Sequence, residues 1–202
     1  MSKRIYISAD YDSTSGDRNV VGELNRWGRD NKHSTDFIDM AQVISGSVSL
    51  NNSDCRPCDL KAEFNRQINS SSIVVFVVGD KTASRASGCS CGLANRYGFP
   101  MCTPYKQNTN GQKYCKYPYT SLFDEDVPVV NNYSYLQHEF EQAKKRGKTI
   151  VILYNSTRCE TSWLPSYMKG YEHRAIPFWA VDYWGNKVGN YYQIKRALGY
   201  EN

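Results

Sequence analysis

The segment Tyr133 to Tyr154, YSYLQHEFEQAKKRGKTIVILY, carries a helix, a stop and a strand in direct succession. Leu136, Phe140 and Ala143 recur at three- and four-residue spacing, which marks one buried helical face. Ser134 suits the N-cap, with Gln137 three residues on as its capping-box partner, and Gly147 suits the left-handed C′ position. The run TIVILY that follows is apolar after its first residue, the pattern of a strand covered on both faces. A helix that feeds such a strand through a single glycine is half of a βαβ unit.

The same alternation extends outward in both directions. Upstream, SIVVFVVGD holds six consecutive apolar residues, mostly β-branched, and reads as a central strand of a parallel sheet. RIYI opens the chain as a short strand, followed by a helix whose Val20, Val21, Leu24 and Trp27 share a face and whose N-cap is expected at Asp17. TDFIDM predicts the second strand, and a polar loop leads to a helix capped by Asp59, with Leu60, Phe64 and Ile68 at fourth-residue spacing. Downstream, AIPFWAVD predicts a fifth strand and NYYQIKRALGY a last helix. The expected architecture is α/β: a flavodoxin-like, three-layer fold with a five-stranded parallel sheet in the order 2-1-3-4-5 and helices on both faces. Residues 1–202 form one domain on this reading.

One segment breaks the rhythm. After the third strand, about fifty residues (83–132) are rich in Cys, Tyr, Gly, Pro and Asn without a sustained period, where such loops normally take about 2–6 residues. Its aromatic residues favour an ordered insertion, a lid, over a linker.

Composition excludes several classes. Aromatics make up 13% of the chain, with 16 tyrosines, which argues against disorder. No apolar run reaches the roughly 18 residues of a membrane span, and MSKRIYIS lacks a signal-peptide core, so a cytoplasmic protein without a membrane partner is expected. The net charge of +5 is scattered rather than gathered in a stripe, so no specific nucleic-acid partner is expected. His33, His138 and His173 lack triad or metal spacing, and His138 falls about 100° round its helix from Glu139, which suggests a surface role. The cysteines leave three readings open. Cys55, Cys58, Cys89 and Cys91 suffice for one structural zinc, although Cys-x-Cys is a poor zinc knuckle; disulfides and free buried thiols are the others. Cys159 reads as an unrelated single thiol.

In a 2-1-3-4-5 sheet, ligands bind beyond the carboxyl ends of strands 1 and 3, where the order reverses. Strand 1 ends in Ser8, Ala9, Asp10 and Tyr11, and strand 3 ends at Gly79 and leads to Lys81, Thr82 and Arg85. Helical phase separates two nearby acids: Glu139 lies roughly 65° from the centre of the buried face and Glu141 more than about 120° away. Glu141 is therefore an ordinary solvated residue. Glu139 is expected at the border of the core, partly desolvated, either as a functional carboxylate or as a boundary residue bonded to a neighbouring lysine or backbone group.

These residues resemble the TIR domain family, in particular the bacterial TIR-like proteins of Thoeris-type antiphage systems. RIYISADY is similar to the family's first strand with its serine, and VVGDKTASR to the G-x-x-T-x-x-R end of the third. YLQHEFEQAKKRGKTIVILY matches best, with Tyr135, Glu139, Ala143, Gly147 and Lys148 at the family's positions, although tryptophan is common where Tyr135 stands. The likeness covers about three quarters of the chain in element order. It implies an NAD-cleaving enzyme, a nucleosidase or ADP-ribosyl cyclase, with Glu139 catalytic and NAD+ as substrate. Around the NAD+ it would set Ser8, Ala9, Asp10, Tyr11 and Tyr135, with Lys81 or Arg85 on the phosphates. It further implies a separately encoded effector activated by the product and homo-oligomers formed through TIR surfaces. Two other functions fit the same residues: a non-catalytic TIR assembly module, and a flavodoxin-like domain that binds a small molecule.

Overall fold

The computed structural model describes residues 3–10, 16–29, 35–39, 56–84, 109–110 and 134–200. Five strands form one parallel sheet: β1 (Lys3–Ser8), β2 (Thr35–Asp39), β3 (Ile73–Val78), β4 (Thr149–Tyr154) and β5 (Ala175–Pro177), in the order β2-β1-β3-β4-β5. All six residues of β3 are buried, as its unbroken apolar run requires of a strand flanked by neighbours and covered on both faces.

Four helices cover the sheet among the described residues: α1 (Asp17–Gly28), α2 (Arg56–Ser70), α3 (Tyr135–Lys145) and α4 (Tyr191–Ala197). Val20, Val21, Leu24 and Trp27 of α1 join Ile194 of α4 in a core against Ile5, Ile7, Val75 and Val77. On the other face, Leu60, Phe64 and Ile68 of α2 and Phe140 and Ala143 of α3 pack on Tyr6, Val74, Phe76 and Ile152. The architecture is thus a three-layer α/β arrangement. The period-two alternation of a strand divides β1 between the layers, sending Ile5 and Ile7 toward α1 and Tyr6 and Ser8 toward α2 and α3. That division positions the site.

The ends of α3 follow from its sequence. The Ser134 hydroxyl accepts a hydrogen bond from Gln137 N at 3.1 Å. At the other end Gly147 adopts φ 60°, with Gly147 N donating to Lys144 O at 2.9 Å and Lys148 N to Ala143 O at 3.0 Å, the two bonds of a Schellman motif. Lys148 then donates from Nζ to the carbonyls of Asn69 and Ser71, closing the C-terminal end of α2.

Three local expectations are corrected. The N-cap of α1 is Gly16, at φ 71°, and Asp17 lies inside the first turn, buried, with Oδ1 accepting from Asn155 Nδ2 at 2.9 Å. A Cβ at Gly79 would come within 2.6 Å of that oxygen, so a residue without a side chain leaves room for the carboxylate. Helix α2 begins at Arg56, three residues before Asp59, because Pro57 in the first turn has a φ already suited to the helix and needs no N–H partner.

The third correction concerns AIPFWAVD, which is two strands rather than one. After β5 the chain turns at buried Phe178, and β6 (Trp179–Val181) pairs antiparallel with β7 (Lys187–Gly189) in a separate hairpin. Its turn is held by Asp182, whose Oδ1 accepts from Trp184 N and Asn186 N, and by Gly185 at φ 85°. No helix among the described residues is long and apolar enough to cross a membrane.

Most of the expected insertion lies outside the described residues, as do Tyr11, Arg85, Cys55, Cys89 and Cys91 and the side chain of Cys58.

Candidate functional site

The candidate site forms where α3 crosses the end of β1. Glu139 is 0% exposed, deeper than the border position expected from helical phase. Tyr6 and Ser8, two residues apart on β1, present hydroxyls to the same carboxylate: Tyr6 OH donates to Oε1 at 2.6 Å, and Ser8 Oγ donates to Oε2. Both donors are themselves fully buried. Among the described residues its partners are therefore neither a lysine nor a backbone group.

Tyr6 is the functional candidate that sequence reasoning misses, because RIYI reads simply as an apolar strand. The signal is present all the same: with Ser8 at the crevice, period two places Tyr6 on the same face.

Burial disfavours the charged form and pushes the Glu139 carboxyl up to about 7, with the hydrogen bonds from Ser8 and Tyr6 opposing the rise. In the unfolded chain the group titrates near 4.5. Between those values the folded protein holds a proton that the unfolded chain has released, so stability falls as pH rises. The contribution is fully present below the unfolded value and is lost as pH passes through about 7. Urea titrations should show wild type losing about 3 kcal/mol relative to Glu139→Gln across this window. Parallel stability curves for the two proteins would overturn the assignment.

Tyr167, from the connection after β4, adds a phenol to the same neighbourhood. Burial raises its pKa well above the usual phenol value; Ser134 opposes that shift and the charge of Glu139 adds to it. Phe140 anchors α3 beside the site, meeting Phe76 and Tyr171 edge-on at centroid distances of 5.4 and 5.1 Å.

The other expected site residues are distributed unevenly. The Ala9 side chain belongs to the core on the α1 face, opposite Glu139. Asp10 and Lys81 are half-exposed, two and three residues beyond the ends of β1 and β3. Tyr135 packs edge-on against Phe64 of α2, with ring centroids 5.6 Å apart. Thr82 is buried and structural: its Oγ1 accepts from Gly79 N at 2.8 Å, tightening the exit from β3. Glu141 is half-exposed and paired with Lys144 at 3.2 Å.

The surface role expected for His138 is overturned. His138 is buried, with Nε2 2.9 Å from Asn65 Oδ1, and one turn later Gln142 Nε2 donates to Asn69 Oδ1 at 2.9 Å. Helix α3 has two covered sides, one on the sheet and one on α2, and this polar seam fills the second.

A groove of about 700 Å³ lies on the opposite face of the sheet, lined by Trp27, Trp179, Lys187, Tyr191 and Tyr192. Its carboxylate, Glu23, is engaged by Arg26 and by Trp27 Nε1, so the catalytic candidate is not among its walls. No group of three or more metal-ligating side chains occurs among the described residues, and Cys159 is exposed and unbridged.

Neither protein-family models nor curated proteins give a match to this chain.

Proposed function

We propose that the chain is a TIR-type enzyme that cleaves the nicotinamide–ribose bond of NAD+, yielding an ADP-ribose-derived signal. On this reading it acts in bacterial antiphage defence, with a separately encoded effector responding to the product. The supporting observation is one carboxylate, Glu139, held between two hydroxyls at the carboxyl end of β1, beside the β1/β3 reversal of a 2-1-3-4-5 sheet.

A single carboxylate suffices for this chemistry. Ordinary glycosides need a second acid because an alkoxide leaves poorly. Nicotinamide departs from a cationic pyridinium as a neutral base, so no acid has to protonate it. The remaining demand is to stabilise an oxocarbenium-like ribosyl cation and to orient the ribose hydroxyls, both of which an ionised carboxylate performs. A carboxyl that titrates near 7 is ionised in about half the molecules at neutral pH. Asp10, Lys81, Tyr11 and Arg85 are the proposed contacts for the rest of the dinucleotide.

The complete burial of Glu139 favours a second reading. Sealed by Tyr6 and Ser8, the carboxylate would be a structural tie between α3 and β1 in a TIR assembly module without chemistry. Incubation of the protein with NAD+ under activating conditions, with mass analysis of products, separates the two. Free nicotinamide with a matching ADP-ribosyl product is expected; intact NAD+ leaves the assembly module.

A further inference from the structure

We propose that the two hydroxyls on Glu139 have different roles: Tyr6 is a permanent positioning clamp on Oε1, and Ser8 is an exchangeable cover on Oε2 that a substrate hydroxyl displaces. The inference rests on the NAD-cleaving reading for the identity of that hydroxyl, and on this structure for the clamp.

The asymmetry comes from how each donor is held. Tyr6 lies in the middle of β1, paired with Ile38 on one side and Val74 on the other, and its ring is part of the core beneath α2 and α3. Withdrawing its hydroxyl from Glu139 would mean withdrawing the ring from that core. Ser8 is the last residue of β1, paired to Phe76 of β3 after the β2 pairing has ended at Ile7. A single χ1 rotation takes its hydroxyl off Oε2 and leaves the apolar core undisturbed. The carboxylate is therefore fixed at one oxygen and releasable at the other. A ribose hydroxyl arriving from the strand ends takes the place of Ser8 Oγ, while Tyr6 keeps Oε2 aimed at the sugar.

Other titratable groups stand on the elements packed around Glu139. They include Tyr154 of β4, Lys61 of α2, Tyr167 after β4, and His138 on α3 itself, which is turned to Asn65; Glu63, Arg66, Glu141, Lys144 and Lys145 also stand on α2 and α3. A change in Glu139 titration must therefore be read on that residue directly.

The test compares Tyr6→Phe, which keeps the ring and removes only the hydroxyl, with Ser8→Ala. In protein labelled with 13C at glutamate carboxyls, the Glu139 resonance of Tyr6→Phe should titrate about one pH unit above wild type, because a donor to the charged form is gone. In turnover assays, Tyr6→Phe should lower kcat on the alkaline plateau about tenfold with KM nearly unchanged. Ser8→Ala should show the opposite signature, a KM lowered about threefold because no hydroxyl needs displacing, with a smaller loss of alkaline kcat than Tyr6→Phe. A wild-type midpoint in Tyr6→Phe overturns the clamp, and equal plateau losses in both variants overturn the division of roles. If wild type releases no nicotinamide, the NAD-cleaving reading falls, while the carboxyl titration still decides the clamp.

Discussion

Glu139→Gln is expected to lower nicotinamide release from NAD+ by on the order of 1,000-fold or more, while the protein stays folded and gains stability above neutral pH. The two halves of this expectation share one cause. Glutamine has nearly the shape of glutamate, and its Oε1 still accepts from Tyr6, so the junction between α3 and β1 is preserved. Its amide donates where the carboxylate accepted, so Ser8 Oγ reverses its role and becomes the acceptor. Only the charge is gone. That charge is costly to a folded protein that buries it completely, and in the proposed reaction it would be the feature that stabilises the ribosyl cation. Loss of turnover together with increased resistance to urea at pH 8 would mark Glu139 as a residue kept for chemistry at the expense of stability. Unchanged nicotinamide release would remove it from the mechanism. Reduced stability would show that the charge itself supports the fold.

The fold is largely legible in the sequence because each main element carries its own punctuation. Ser134, Gly147 and the apolar spacing of α3 mark a helix that the structure matches at both ends. The unbroken apolar runs of β3 and β4 mark central strands, and the alternation of helices and strands leads to the observed strand order. Misreadings arise where a residue answers to two neighbours. His138 looks solvent-facing because helical phase measures distance from one buried face, and α3 has a second one against α2. Glu139 reads as a border residue for the same reason, and its depth depends on hydroxyls from β1, more than a hundred residues away. The hairpin β6–β7 merges into a fifth strand because Phe178 continues the apolar run, although it enters the core where the chain changes sheet. Local pattern identifies an element's main face. It does not count how many partners surround the element.

Phe140→Ala is expected to destabilise the protein by about 3–5 kcal/mol and, in doing so, to loosen the carboxylate next to it. Phe140 is 0% exposed and, among the described residues, meets the aromatic rings of Phe76, Tyr171 and Tyr167. Deleting its ring removes the transfer free energy of a large apolar group and leaves a cavity whose walls belong to separate elements, β3 and the connection after β4. Such walls collapse poorly, which places the cost in the upper part of the range for core truncations. The effect reaches the site because Phe140 and Glu139 are consecutive on α3: one residue holds the helix to the sheet and the other depends on its height above β1. Phe140→Leu, which keeps most of the volume, should cost about 1–2 kcal/mol and leave the Glu139 titration near its wild-type midpoint. Urea denaturation measures the stability change, and the 13C carboxyl titration used for Tyr6→Phe measures the coupling. A cost below about 1 kcal/mol for Phe140→Ala would mean that α3 is held by other contacts. A large cost with an unshifted midpoint would show that the hydroxyl clamp on β1 keeps the carboxylate in place even when the helix above it is poorly packed.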